Sequence, residues 1–154
     1  MNDFLRLLAD EREIIGVGLR YARALDSKDY DTLVSCFTED AAWGVGDSQV
    51  SGHQAIVARA SSVLNHLDAS QHVTTNFEVA VDGDRGIMRS YYLATHVSHT
   101  NPVEPHFVVA GVYHDELIRT PAGWRLRSRV LTTWWQTGDP SVLGSAFSAI
   151  AQGS

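Results

Sequence analysis

The sequence predicts an α+β domain: a cone-shaped α+β barrel in which a curved antiparallel sheet wraps around a long N-terminal helix, with two shorter helices beside it. Three observations carry this expectation. Apolar residues recur at helical spacing in the first part of the chain and mainly at period two afterwards. The two regimes are segregated, helices first and strands after, which is the α+β order. Hydrophobic residues make up 44% of the 154 positions, enough for one domain with a core, and no repeat or linker divides it.

The first helix is read from about Asp10 to Asp26, on an apolar set of Ile14, Ile15, Leu19, Tyr21, Ala22 and Leu25. A second follows at about Asp29 to Cys36, with Leu33 and Phe37 inward. Glycine-punctuated strand signals surround Trp43 and Val50. A third helix is expected from about His53 to Leu67, burying Ile56, Val57, Ala60, Val63 and Leu64. Then "HVTTNFEVAV" alternates, putting Val73, Thr75, Phe77, Val79 and Val81 on one face and His72, Thr74 and Asn76 on the other. Asp82-Gly83 marks a hairpin, because both residue types tolerate positive φ. "GIMRSYYLATHVSH", "HFVVAGVYHDELIR" and "WRLRSRVLTTWW" complete a meander, joined by "NPVEP" and "TPAGW". The domain spans 1–154, with its core over about 8–135. The tail, about 138–154, is rich in small residues, with Val142, Leu143, Phe147 and Ile150 as anchors. A sheet curled around a helix leaves an open mouth, and ligand sites favour such concavities.

Composition narrows the function. The net charge is −6, with no basic stripe, so nucleic acid is not an expected partner. Arg125, Arg127 and Arg129 alternate along one strand and read as a solvated face unless a bulge resets Arg129. The single cysteine, Cys36, excludes an internal disulfide and reads as a small buried hydrophobe. The N-terminal segment is broken by charges, and no apolar run reaches the ~18 residues of a membrane span. The expectation is a soluble cytoplasmic protein with no membrane partner.

Four polar residues break the patterns. Asp26 closes the helical stripe where another apolar side chain is due; it is either a cap for the second helix or a carboxylate facing the interior. His72 opens the first long strand. His96 shares strand parity with Met88, Ser90 and Tyr92. Arg129 stands where its strand turns apolar. Metal chemistry is not expected: His96 and His99 point to opposite faces, and the His114/Glu116 pair has no third ligand marked. Gly16-x-Gly18 lies inside a helix and lacks the third glycine of a dinucleotide fingerprint. Acid–base chemistry remains, with Tyr21 as a further donor. Trp43, Tyr92, Phe107, Trp134 and Trp135 are available to line a pocket for a flat or aromatic molecule, although core packing is the default role for each.

"RYARALDSKDYDTLVSCFTEDAAW", "QHVTTNFEV" and "FVVAGVYHDELIRTPAGWRLRSR" together resemble the SnoaL-like branch of the nuclear transport factor two-like superfamily. The appearance is closest to its scytalone dehydratase and lindane dehydrochlorinase members, over roughly residues 8 to 135. The resemblance implies a cofactor-free lyase assembled as a homotrimer. It assigns Asp26 to orient His72, and His72 to take a proton from carbon. It makes His96 or Arg129 the group for an oxyanion or leaving group. Leu25 and Tyr21 replace a tyrosine and a lysine of those two enzymes, so the leaving group does not carry over.

The expected function is elimination of water or another small leaving group from a hydroxylated, aromatic small molecule. Catalysis falls to Asp26, His72, Arg129 and His96, and binding to Tyr21, Trp43, Asn76, Tyr92, Phe107 and Trp134. Three alternatives stay open: a retro-aldol C–C lyase, an isomerase or cyclase of ketosteroid or polyketide type, and a non-catalytic small subunit of a ring-hydroxylating dioxygenase. The outer sheet face, with Val73, Phe77 and Val79, is expected to bury against neighbouring subunits.

Overall fold

The computed structural model describes residues 3–144; Phe147 and Ile150 of the expected tail lie outside them. Helix α1 (Asp3–Ser27) and the short α2 (Tyr30–Ser35) precede a hairpin, β1 (Phe37–Val45) and β2 (Ser48–Ser51). Helix α3 (His53–Leu64) leads into β3 (Ala69–Asp82), β4 (Arg85–Val97), β5 (His106–Thr120) and β6 (Gly123–Gly138). A 3₁₀ turn over Pro140–Leu143 places Val142 and Leu143 in the core, as anticipated.

Two features of the sheet correct the expectation. Its order is β2-β1-β6-β5-β4-β3, and β1 runs parallel to β6, so the sheet is mixed rather than antiparallel. It is also open: β2 and β3 are edges, and the curved sheet does not close into a barrel. The Asp82-Gly83 hairpin forms as read, with Gly83 at φ 58°, and Gly123 at φ 94° closes the last hairpin.

Helix α1 begins a full two turns before the expected start. Its first turns carry exposed Phe4, Leu5 and Leu8, so periodicity could not mark them as a buried face. Asp10 ties this end to the sheet, accepting from both terminal nitrogens of Arg119 at 2.8 Å and from the Trp124 indole at 3.1 Å. The buried stripe is Ile14, Val17, Gly18, Tyr21 and Leu25; Leu19, expected inward, is 50% exposed. Asp29 caps α2, its carboxylate accepting from the Thr32 backbone N–H at 3.0 Å. That leaves Asp26 free of the capping role.

Three bulges reset strand parity. Opposite Ser90 stand two residues, Asn76 and Phe77, because Thr75 pairs with Tyr91 and Glu78 with Arg89. Asn76 takes φ 54° there. His72 and Thr74 therefore face inward before the bulge, and Phe77, Val79 and Val81 face inward after it. Phe77 and Val79 do not belong to the outer face as expected; Val73 does. Arg127 is the extra residue of a second bulge, since Leu126 pairs with Leu117 and Ser128 with Glu116. Trp134 is the extra residue of a third, between Thr133 and Trp135.

Candidate active site

The concave side of the sheet and helices α1 and α3 enclose a cavity of about 890 Å³. Its walls are mostly apolar, with Leu25, Val63, Leu64, Val109 and Leu131 among them. Such a volume suits a drug-sized molecule.

Asp26 and His72, 46 residues apart, meet at its edge. The last turn of α1 carries the carboxylate past the end of the buried stripe and onto the start of β3. His72 Nδ1 lies 2.7 Å from Asp26 Oδ1, and the His72 backbone N–H donates to Oδ2 at 3.0 Å. The Ser70 hydroxyl donates to Oδ1 at 3.0 Å. Burial raises the Asp26 pKa, but these hydrogen bonds and the imidazole's charge outweigh it, so the carboxyl ends below its ordinary value. An ionised carboxylate only accepts. Nδ1 of His72 is therefore the donor, and Nε2 keeps the lone pair. The ring lines the cavity. A ring held this way can act chemically as an oriented general base.

His96 stands edge-on to His72, ring centroids 5.7 Å apart. Its Nδ1 is 3.2 Å from the Phe107 carbonyl, which can only accept, so here too Nε2 carries the lone pair. Burial, then the neighbouring His72, push its pKa down to about 4. His96 is thus neutral at neutral pH and presents an acceptor, not an acid. The consequence for stability has a definite sign. The unfolded chain binds a proton on this histidine below pH ~6.5, and the folded chain does not until about 4. Stability therefore falls as pH drops through that window, by about 3 kcal/mol in total at ~1.36 kcal/mol per unit. His96→Asn should flatten the urea-measured stability between pH 7 and 4; an unchanged slope would contradict the assignment.

Arg129 does not reach the cavity. The bulge at Arg127 turns it inward, away from the face of Arg125, and the guanidinium is 0% exposed. Asp115 holds it through two bonds of 2.8 and 2.7 Å. The rings of Tyr21 and Tyr113 cover it at 4.2 and 4.1 Å. Sequence reasoning missed Asp115, although the parity that sends His114 and Glu116 outward sends Asp115 inward. It also missed Tyr113, two positions before it on the same inward row.

The predicted binding residues divide. Tyr21, Trp43, Tyr92 and Phe107 line the cavity. The Trp43 indole donates to the Tyr21 hydroxyl at 2.9 Å, and the Tyr92 hydroxyl shares a 3.2 Å bond with Thr133. Burial pushes the Tyr21 phenol up to about 12. Trp134 sits at the rim, half exposed, with its ring against Tyr91 on the outer face. Asn76 is exposed at its bulge and takes no part in the cavity wall. Among the described residues no group of three His, Cys, Asp or Glu side chains is placed to share a metal ion. No helix among them is long and apolar enough to cross a membrane.

A family model described as a SnoaL-like domain matches residues 6–130. An uncharacterised protein of Mycobacterium tuberculosis is 32% identical over 140 residues, covering 84% of this chain and 88% of its own length. A Novosphingobium aromaticivorans structure provisionally named an aromatic ring hydroxylase superposes with TM-score 0.80 at 27% identity, over 88% of this chain and 97% of that one. A second structure from that organism, provisionally named a scytalone dehydratase, gives 0.79 at 22% identity, over 89% and 91%. The latter likeness is one of fold.

Proposed function

This chain belongs to the SnoaL-like domain family, and from that premise we propose that it is a cofactor-independent lyase acting on a hydroxylated aromatic molecule. The observation that carries the reading is the Asp26–His72 pair, bonded at 2.7 Å on the wall of an apolar cavity. Nε2 of His72 takes a proton from substrate carbon. Asp26 fixes the tautomer and stabilises the imidazolium, which then returns the proton to the departing oxygen. His96 accepts from a substrate hydroxyl. The apolar walls and the rings of Trp43, Phe107 and Tyr92 favour a flat skeleton. A retro-aldol cleavage would use the same base on a hydroxyl proton. A scaffold subunit has no need of such a pair.

The test is mass spectrometry of a panel of hydroxylated aromatic ketones incubated with the protein in D₂O. Elimination appears as loss of water, cleavage as two fragments, and reversible proton abstraction as solvent deuterium at carbon. Absence of all three across the panel, or their persistence in His72→Ala, would sink the reading.

We propose further that the chain works as a homotrimer. Val73, Leu93, Ala110 and Trp135 stand in register across β3, β4, β5 and β6 on the outer face. Val73, Leu93 and Trp135 are 42%, 38% and 52% exposed, and Tyr91 and Trp134 extend the patch. Light scattering at micromolar concentration should give three times the 16.9 kDa chain mass. A monomer there would contradict it.

A further inference from the structure

Resting on the elimination reading above, a second question concerns the group that meets the oxygen on which negative charge develops. A proton leaving carbon beside a carbonyl puts charge on that carbonyl oxygen, and in an apolar cavity the oxygen needs a donor. The two imidazoles offer lone pairs only. Their N–H groups are committed to Asp26 and to the Phe107 carbonyl. The Trp43 N–H is committed to the Tyr21 hydroxyl, whose own proton is a rival donor on this wall, and the Tyr92 and Thr133 hydroxyls share a single bond that engages one of their two protons. At the mouth, Arg59 donates to the Ser48 carbonyl and hydroxyl at 2.8 and 3.3 Å. Arg129 is sealed behind Tyr21 and Tyr113.

Tyr113 differs from these in that its hydroxyl neither donates to nor accepts from any described residue, although its ring is 1% exposed and lines the cavity. Its ring is held from three sides. It stacks on Tyr92 with centroids 4.6 Å apart, meets Tyr21 edge-on at 5.9 Å, and lies over the Arg129 guanidinium at 4.1 Å. A ring so fixed loses little further freedom when its hydroxyl engages a ligand. The hydroxyl is not sealed inside the protein: it opens to the cavity, where a ligand oxygen can accept from it.

We propose that Tyr113 is a catalytic residue whose hydroxyl donates to the carbonyl oxygen of a neutral aryl carbonyl substrate and to the enolate formed from it. The proton balance is closed. The C–H bond breaks, its proton goes to Nε2 of His72, and its electron pair becomes the enolate. The enolate oxygen accepts a hydrogen bond from Tyr113, which keeps its own proton. Burial supports that role, raising this phenol well above its ordinary pKa against the opposing pull of Arg129. No oxidant or other reactant enters.

Binding tests this independently of turnover. The probes are 2-acetylnaphthalene, carbon-13 labelled at the carbonyl, and 2-ethylnaphthalene, the same skeleton without oxygen. The wild-type chain should bind the ketone about fivefold tighter than the hydrocarbon, the value of about one neutral hydrogen bond. The labelled carbonyl resonance should move downfield from its position in an apolar solvent. Tyr113→Phe keeps the ring stack and should erase both the preference and the shift, with hydrocarbon affinity and circular dichroism unchanged. Tyr21→Phe should retain both. The proposal is overturned if the wild type shows no ketone preference, if the shift survives in Tyr113→Phe, or if Tyr21→Phe abolishes it instead. Failure of the elimination reading would leave these shifts intact, whereas failure of the present proposal would leave His72-dependent turnover intact.

Discussion

His72→Ala is expected to lower turnover by about 10²–10⁴-fold while leaving far-UV circular dichroism unchanged, because it deletes the proposed base and little else. The imidazole occupies the cavity wall rather than the core cluster, so the substitution opens space where space already exists. Asp26→Asn should be nearly as costly. An amide cannot stabilise imidazolium, and presented amide-first it would oppose the His72 N–H with its own donor. The Asp26 carboxylate also accepts from the His72 backbone and from Ser70, so the amide disturbs three bonds together. The double variant should be little worse than either single one, since the two groups act as a unit. A His72→Ala protein that kept more than about a tenth of wild-type kcat would place the base elsewhere, and His96 would be the next residue to substitute.

The second large effect concerns stability. Arg129→Met should destabilise the fold by about 3–5 kcal/mol, because Asp115 would be left as a buried carboxylate without its counter-charge. Both side chains are 0% exposed, so water cannot compensate. Two cation–π contacts, on Tyr21 and Tyr113, are lost as well. Adding Asp115→Leu should recover most of the loss, since an apolar pair of similar volume removes the buried charge altogether. Urea melts of the wild type, the single and the double variant decide this. A single variant within about 1 kcal/mol of wild type, or a double variant as unstable as the single, would show that the pair is not the linchpin of this layer.

Much of the site was legible in particular residues. Asp26 and His72 stood out because each violated a local period, and a polar residue in an apolar stripe carries a cost that needs a partner. The hairpins at Asp82-Gly83 and Gly123 were legible because their backbone requirement is local. Arg129 was half legible: its parity put it in solvent, and only a bulge one turn of the pleat earlier brought it inside. Asn76, Phe77 and Val79 were misplaced for the same reason. A bulge is an excess of one residue relative to a partner strand, and the partner is not in the local pattern.

The sequence by itself determined the order of helices and strands, the three turns that fold the meander, and the two polar residues, Asp26 and His72, that the proposed mechanism uses. These follow from short-range periodicity and backbone preference. Tertiary structure alone decided that β1 joins the sheet parallel to β6, that Asp115 neutralises Arg129 from the next strand, and that Tyr113 faces the cavity with its hydroxyl uncommitted. The physical reason is range. Strand pairing, buried-charge compensation and hydrogen-bond satisfaction are settled between residues far apart in the chain, and they appear only when the sheet brings those residues into contact.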